Sequence, residues 1–371
     1  MKREEYNYWL SNVNNIGPRK IEMLLQGFGS AEGVFHASRV ALEEAKKSSQ
    51  LEGGTRLSDT DIDALVQNRD KKLVHENYEK LAKNGIYFVS KEEEQYPSKL
   101  KQIYDAPFAL YVKGNLPIEG AKTLAVVGAR DCSPYGIEMA KFLAGAVARE
   151  GIAIISGLAR GIDSYAHEGA LAAGGITFGI LGCGIDICYP KENIKLYMEM
   201  QTRGGIISEY APKVMPFASN FPMRNRIISG LCDRILVIEA KEKSGSLITV
   251  DMGLEQGKDI YALPGRATDR ISEGCNNLIK MGAKLVTTPK DILEDFLPDY
   301  VQSRNDLNTD NNPLAAEEKI VLACLSLEPK HIEEISELAK LPMDIIMEQL
   351  LLLELHGRVS QTMKNYYIMV K

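Results

Sequence analysis

The stretch 123–163 constrains the fold of this chain more than any other. A strand-like run, Thr123 to Val127, breaks on Gly128-Ala129-Arg130. Ser133-Pro134 then offers a helix start, since Ser caps free N–H groups and Pro is tolerated in the first turn. Ile137, Ala140, Leu143, Ala144, Val147 and Ala148 recur at helical spacing, and Gly151 supplies a left-handed stop. Ile152–Ile155 is too short and too apolar for a surface helix and reads as a buried strand. The unit is βαβ, with parallel strands covered on both faces.

The loops after its two strands carry the chemistry. One holds Gly128 and Arg130, the other Gly157, Arg160 and Gly161. Both leave a parallel sheet at its carboxyl edge, where open α/β folds bind ligands. Glycine lets backbone N–H groups approach an anion, helix starts add positive partial charge, and Arg grips phosphate bidentately. In either loop alone the glycines are equally explained as tight turns; the pair favours a phosphate site.

The chain has 371 residues, room for two or three domains, and its 45% hydrophobic and 25% charged content is that of an ordinary globular protein. No apolar run reaches spanning length and the amino terminus lacks a signal-peptide core, so no membrane partner is expected. Six scattered cysteines without CxxC pairs argue against a metal site and for reduced thiols, hence a cytoplasmic location. With a net charge of −6, nucleic-acid binding would need a local basic patch.

Residues 1–90 read as a helical amino-terminal domain. Asn15-Ile16-Gly17-Pro18-Arg19-Lys20 before the apolar Ile21–Leu25 has the form of a helix-hairpin-helix turn, which offers N–H groups to a phosphate, although any helical hairpin uses such a turn. Short apolar runs at 108–112, 176–181, 205–208, 234–239, 259–263 and 284–286 alternate with helical stretches. Together with the opening unit they predict one doubly wound, mostly parallel sheet over 91–298. Polar residues 299–313 read as a linker. In 314–371, helices at 315–325, 332–340 and 343–356 precede a hairpin turning at Lys364-Asn365, which predicts a winged helix. The third helix contains no Lys or Arg but does contain Asp344, Glu348 and Glu354. Phosphate neutralisation needs cations, so this helix favours a protein contact or packing over duplex reading.

Gly182-Cys183-Gly184 opens like a dinucleotide fingerprint, but Ile187 stands at the third glycine and no acidic strand end follows, so no nicotinamide cofactor is expected. Lys191 opens a helix near the same sheet edge, where it either adds charge to the phosphate surface or is an ordinary exposed helix lysine; its neighbours favour the first. The densest basic cluster runs from Phe217 through Phe221 to Arg224-Asn225-Arg226. Cations for the backbone, aromatics for stacking and an amide for base edges are what single-stranded nucleic acids require; at least one of the two phenylalanines is expected in the core. Lys243-Ser244-Gly245-Ser246 ends a strand and opens a helix, another anion-binding geometry. Catalytic equipment is thin. His167 has no partnered nucleophile and reads as structural or superficial, and Asp163 and Ser164 read as caps. Glu209 and Glu239 form either a carboxylate pair or salt bridges to Arg224, Arg226 or Arg130.

These strings together resemble the DNA-processing protein A family, also called DprA or Smf. The matching stretches are VGAR (127–130), SGLARGIDSYAHEGAL (156–171), LGCGIDICYP (181–190), FPMRNRIISGL (221–231), EAKEKSGSLIT (239–249), and LPGRATD with EGCNNLI within 263–279. The resemblance implies an extended Rossmann domain that binds single-stranded DNA and pairs as a homodimer. It also implies a role in natural transformation, protecting incoming strands and assisting loading of the RecA recombinase. Arg130 and Lys191 match positions lining the family's DNA pocket, and no catalytic residue or cofactor is carried over. The competing reading is a nucleotide N-glycosidic hydrolase of the lysine-decarboxylase-like Rossmann group. That group's Pro-Gly-Gly-x-Gly-Thr-x-x-Glu run is replaced here by Lys243 to Thr249 without a following Glu. A third reading is a small-nucleotide sensor whose tail relays the signal to a partner.

Overall fold

The computed structural model describes residues 1–51, 56–297, 316–326, 328–355 and 358–369, so the expected linker at 299–313 lies outside the described residues. Two compact units, Met1–Tyr300 and Val301–Lys371, are considered separately.

Nine strands form the sheet of the first unit among the described residues. They are β1 Tyr87–Ser90, β2 Ala109–Gly114, β3 Thr123–Gly128, β4 Ala153–Ser156, β5 Thr177–Leu181, β6 Gly204–Ser208, β7 Arg234–Ile238, β8 Asp259–Ala262 and β9 Lys284–Leu285. Their order is β1-β2-β6-β5-β4-β3-β7-β8-β9. Strands β6 through β9 pair in parallel, while β2 joins β6 and β1 joins β2 antiparallel. The chain starts its parallel block at β3, moves outward to β6, then returns to β7 on the other flank of β3. The switch point therefore lies between β3 and β7, as a doubly wound sheet requires.

The apolar runs are continuous because both faces are covered. Leu124, Val126, Leu236 and Ile238 face one core with the helix Pro134–Arg149. Ala125, Val127, Ile235 and Val237 face another, with Ile227 and Val250 from the helices Asn220–Leu231 and Gly245–Glu255. Ser133 caps the Gly136 N–H at 3.1 Å, Pro134 follows it, and Gly151 has φ 79°, so the βαβ unit forms as its sequence predicts.

Among the described residues six helices precede the sheet, from Arg3–Ser11 to Lys71–Lys83. The reading of 1–90 as helical misses β1 at its end. Gly85 turns the chain with φ 65°, and Phe88 and Val89 then pair against Tyr111 and Leu110. Phe88 packs edge-to-face on Tyr8 at 5.6 Å and on Tyr111 at 5.4 Å, so the helices and the sheet share one core. At the Gly-Pro turn, Lys20 Nζ donates to the Asn15 carbonyl at 3.0 Å and to the buried Asp61 carboxylate at 2.7 Å.

The second unit has helices Ala316–Cys324, Ile332–Ala339 and Met343–Leu355, then strands β11 Val359–Met363 and β12 Tyr366–Met369 turning at Asn365 with φ 65°. A two-residue strand, β10 Lys330–His331, completes the order β10-β12-β11. This is the winged-helix arrangement.

His167 is fully buried within the helix Ile162–Ala172. The Thr177 hydroxyl donates to the Ile154 carbonyl at 2.9 Å, so at 2.6 Å from Thr177 the His167 Nδ1 is the donor and Nε2 stays unprotonated. Burial pushes its pKa down to about 3. The unfolded chain then binds a proton that the folded chain refuses, so stability falls as pH drops from about 6.5 toward 3. Urea unfolding should show about 2 kcal/mol lost from this group between pH 7 and pH 5. A His167→Gln chain should show a correspondingly flatter profile over that interval, and an unchanged slope would refute this origin.

Candidate nucleic-acid interface

At the carboxyl edge, beside the switch point, lies a cavity of about 500 Å³. Its walls come from the end of β3 and the loop after it (Gly128, Arg130), the loop after β4 and the start of the helix 162–172 (Ala159, Asp163), the helix 220–231 (Phe221, Arg224, Asn225) and the start of the helix 245–255 (Gly245, Ser246). Tyr189 closes one side.

The mouth is cationic and aromatic. Arg130 is exposed, and its guanidinium carbon lies 5.9 Å from the Phe221 ring centre. Phe221 stacks obliquely on Tyr189 at 5.6 Å and 34°. Arg130, which lines the cavity, and Lys191 and Lys243, which lie outside its lining, have no ion-pair partner among the described residues, and all three are exposed. Lys191 opens a short 3-10 turn, Lys191–Asn193. Arg160 is exposed but clasped bidentately by Glu192 at 2.6 and 3.0 Å. Asn225 and Ser246 line the cavity, and Ser244 caps the helix start at Ser246 with a 3.4 Å bond. Phe217 is 60% exposed beside the lining residues Pro216 and Ala218, and Phe221 is half-buried. Neither phenylalanine is in the core, contrary to expectation.

The Arg224-Asn225-Arg226 cluster needs correction. Both arginines are buried and turned inward. Arg224 donates to the Gly157 carbonyl at 2.7 Å and to the Ile180 carbonyl, although it is among the residues lining the cavity. Arg226 is held by both oxygens of Glu209 at 2.8 and 2.9 Å and by Asp105 at 3.1 Å, so it offers no cation to a phosphate. A buried charge persists only when paired, and here the pairs are internal.

The glycines also change meaning. A Cβ at Gly128 would strike the Ile238 carbonyl oxygen, one at Gly157 would lie 2.6 Å from the Arg224 guanidinium, and one at Gly161, with φ 76°, would strike the Ala129 and Arg130 carbonyls. Close approach of the protein to itself dictates these three positions. Gly245, by contrast, has open space where its Cβ would be.

The remaining acids are structural. Burial pushes the Asp163 carboxyl up while Arg224 opposes the shift; the carboxylate accepts the Gly157 N–H at 3.0 Å and the Ala159 N–H at 3.4 Å, closing the loop. Glu239, at φ 52°, accepts the Ser133 N–H at 2.8 Å and its hydroxyl, so a carboxylate already fills the helix start after β3. Glu209 and Glu239 thus serve separate partners. Sequence reasoning missed Tyr189 and the buried Asn193, which ties Leu158 O at 2.9 Å and Ser164 Oγ at 2.8 Å to the Lys191 turn. Tyr189 sits two residues before Lys191, a proximity that marked it. No cluster of three potential metal ligands occurs among the described residues.

The family model described as DNA recombination-mediator protein A matches residues 87–297, more than half of the chain. The chain belongs to the DNA-processing protein A family. The DprA winged helix domain matches residues 306–362. DNA processing protein DprA of Streptococcus pneumoniae is 45% identical over 204 residues, covering 55% of this chain and 72% of that protein. Protein Smf of Escherichia coli is 38% identical over 76% of each chain. Among solved structures, the S. pneumoniae DprA aligns with TM-score 0.67 at 34% identity, over 80% of this chain and 99% of that one. DNA processing protein A of Helicobacter pylori, whose structure concerns its single-stranded DNA binding mode, aligns with TM-score 0.51 at 30% identity, over 58% and 97%. The DprA match begins at residue 87, the first residue of β1.

Arg226→Ala should cost about 3–5 kcal/mol in chemical denaturation, because it strands Glu209 and Asp105. Arg130→Ala should leave the unfolding midpoint unchanged. Equal midpoints for the two variants would contradict these roles.

Proposed function

We propose that this chain binds single-stranded DNA along the carboxyl edge of its parallel sheet, as a non-enzymatic mediator of recombination. The observation that carries the reading is the unpaired Arg130 lying over Phe221, itself stacked on Tyr189, at the mouth of the 500 Å³ cavity. Stacked rings accept any base face, and unpaired cations take the phosphates on either side. Lys191 and Lys243 extend the cationic track, with Arg160 joining where Glu192 yields it. Asn225, Ser244 and Ser246 are the polar groups able to meet base edges or phosphates, Gly245 leaves room for the backbone, and exposed Phe217 offers a further ring. Unstacked bases can enter the cavity, whereas a duplex keeps its bases stacked. The Helicobacter pylori relative's single-stranded binding mode supports the same choice. Membership of the DprA family supports the wider role: protecting strands in natural transformation, helping to load RecA, and acting as a homodimer through the sheet domain.

Fluorescence anisotropy with labelled oligo-dT, single-stranded and annealed, across a salt series tests this. Tight, salt-sensitive binding to the single strand and much weaker binding to duplex are expected. Arg130→Ala and Lys191→Ala should each weaken binding and flatten the log–log salt slope by about 0.7 per phosphate contact removed. Phe221→Ala and Tyr189→Ala should cost about 1–3 kcal/mol each with the slope preserved. Parental binding by all four variants would move the site elsewhere. Base release from nucleoside monophosphates without strand binding would favour the hydrolase.

A further inference from the structure

The third helix of a winged-helix module is the element it presents outward, into a groove when the partner is DNA. Here that helix, Met343–Leu355, carries Met343, Met347 and Leu351, exposed by 38%, 60% and 58%. Steps of four residues set them in one stripe along a single face. The module's core does not use them: Ile346, Leu350 and Leu353 pack inward with Val321, Ile335 and Val359. Exposed Asp344 and Glu348 run beside the stripe at the same step. Across Ile332–Leu355 the acidic side chains are Glu333, Glu334, Glu337, Asp344, Glu348 and Glu354, against Lys340 as the one basic residue.

This chemistry selects its occupant. Phosphates of nucleic acid or anionic lipid would meet Asp344 and Glu348 beside the stripe and no Lys or Arg on this helix. A second copy packed isologously would set the same acidic flanks against each other. A helix with an apolar face bordered by Lys and Arg satisfies both the stripe and its flanks, and flexible methionines adapt to such a face. We propose that the third helix of the winged-helix module is a docking surface for a basic amphipathic helix of a partner protein. The inference rests on the tail's own fold and charge, so it stands or falls apart from the single-strand reading.

The test uses the full chain and a fluorescent leucine/lysine peptide with leucines at i, i+3, i+4 and i+7. A scrambled peptide of the same composition serves as the control. The ordered peptide should bind and the scrambled one should not. A Met347→Ser, Leu351→Ser double variant should bind about tenfold more weakly or worse, equivalent to losing one well-buried apolar side chain. An Asp344→Lys, Glu348→Lys variant should weaken binding and flatten its salt dependence. All of these variants should keep parental melting curves and parental oligo-dT affinity. Equal binding of the scrambled peptide, or parental peptide affinity in the stripe variant, would overturn the proposal. So would a stripe variant that changes only the sedimentation mass, since a second copy would then be the occupant.

Discussion

The guanidinium of Arg224 holds the ligand edge of this protein together. It reaches from the helix 220–231 to the carbonyl of Gly157, after β4, and to that of Ile180, in β5. Gly157 must be glycine because the guanidinium occupies the space of its Cβ. Asp163 takes the N–H of the same Gly157, so the main-chain donor and acceptor of one residue are bound by opposite charges. Burial pushes the Arg224 pKa down and Asp163 opposes it. Two strand ends, a helix and a loop become one rigid piece, and exposed groups mounted on such a frame lose little freedom on binding.

Charge at the site is thus sorted by direction. Inward arginines and carboxylates satisfy one another or the backbone, while Arg130, Lys191 and Lys243 remain exposed. Glu239 matters here because it occupies the helix start at which dinucleotide folds bind pyrophosphate. The Gly136 position leaves no room for a side chain beside that carboxylate. The helix terminus is thereby closed to an outside anion, and the exposed cations of this edge are side chains.

The central sheet was legible because its strands are buried on both faces and bounded by Gly or polar residues, as at Thr123–Gly128 and Ala153–Ser156. β1 was not, since four residues directly after a helical region carry too little pattern to separate from it. The arginine cluster misled for a geometric reason. On a helix, residues two apart point about 200° apart, so Arg224 and Arg226 cannot line one groove together. Reading 220–231 as a helix would have exposed this. Glycine composition alone could not tell whether the missing Cβ makes room for a ligand or for another loop; Gly128 and Gly161 belong to the second kind.

The sheet also ends in a particular way. Its outermost strands are β1, four residues long, and β9, only two. The Ser90 N–H is already taken by the Glu93 carboxylate, and Lys284 on β9 is tied to Glu294 and Asp295. Such short margins, one with an N–H already taken and the other carrying a paired lysine, offer an incoming strand few main-chain partners. Copies of this chain held close together therefore have little to gain by zipping their sheets together. Crowding at high local concentration is less hazardous for a molecule finished in this way than for one with a long bare edge.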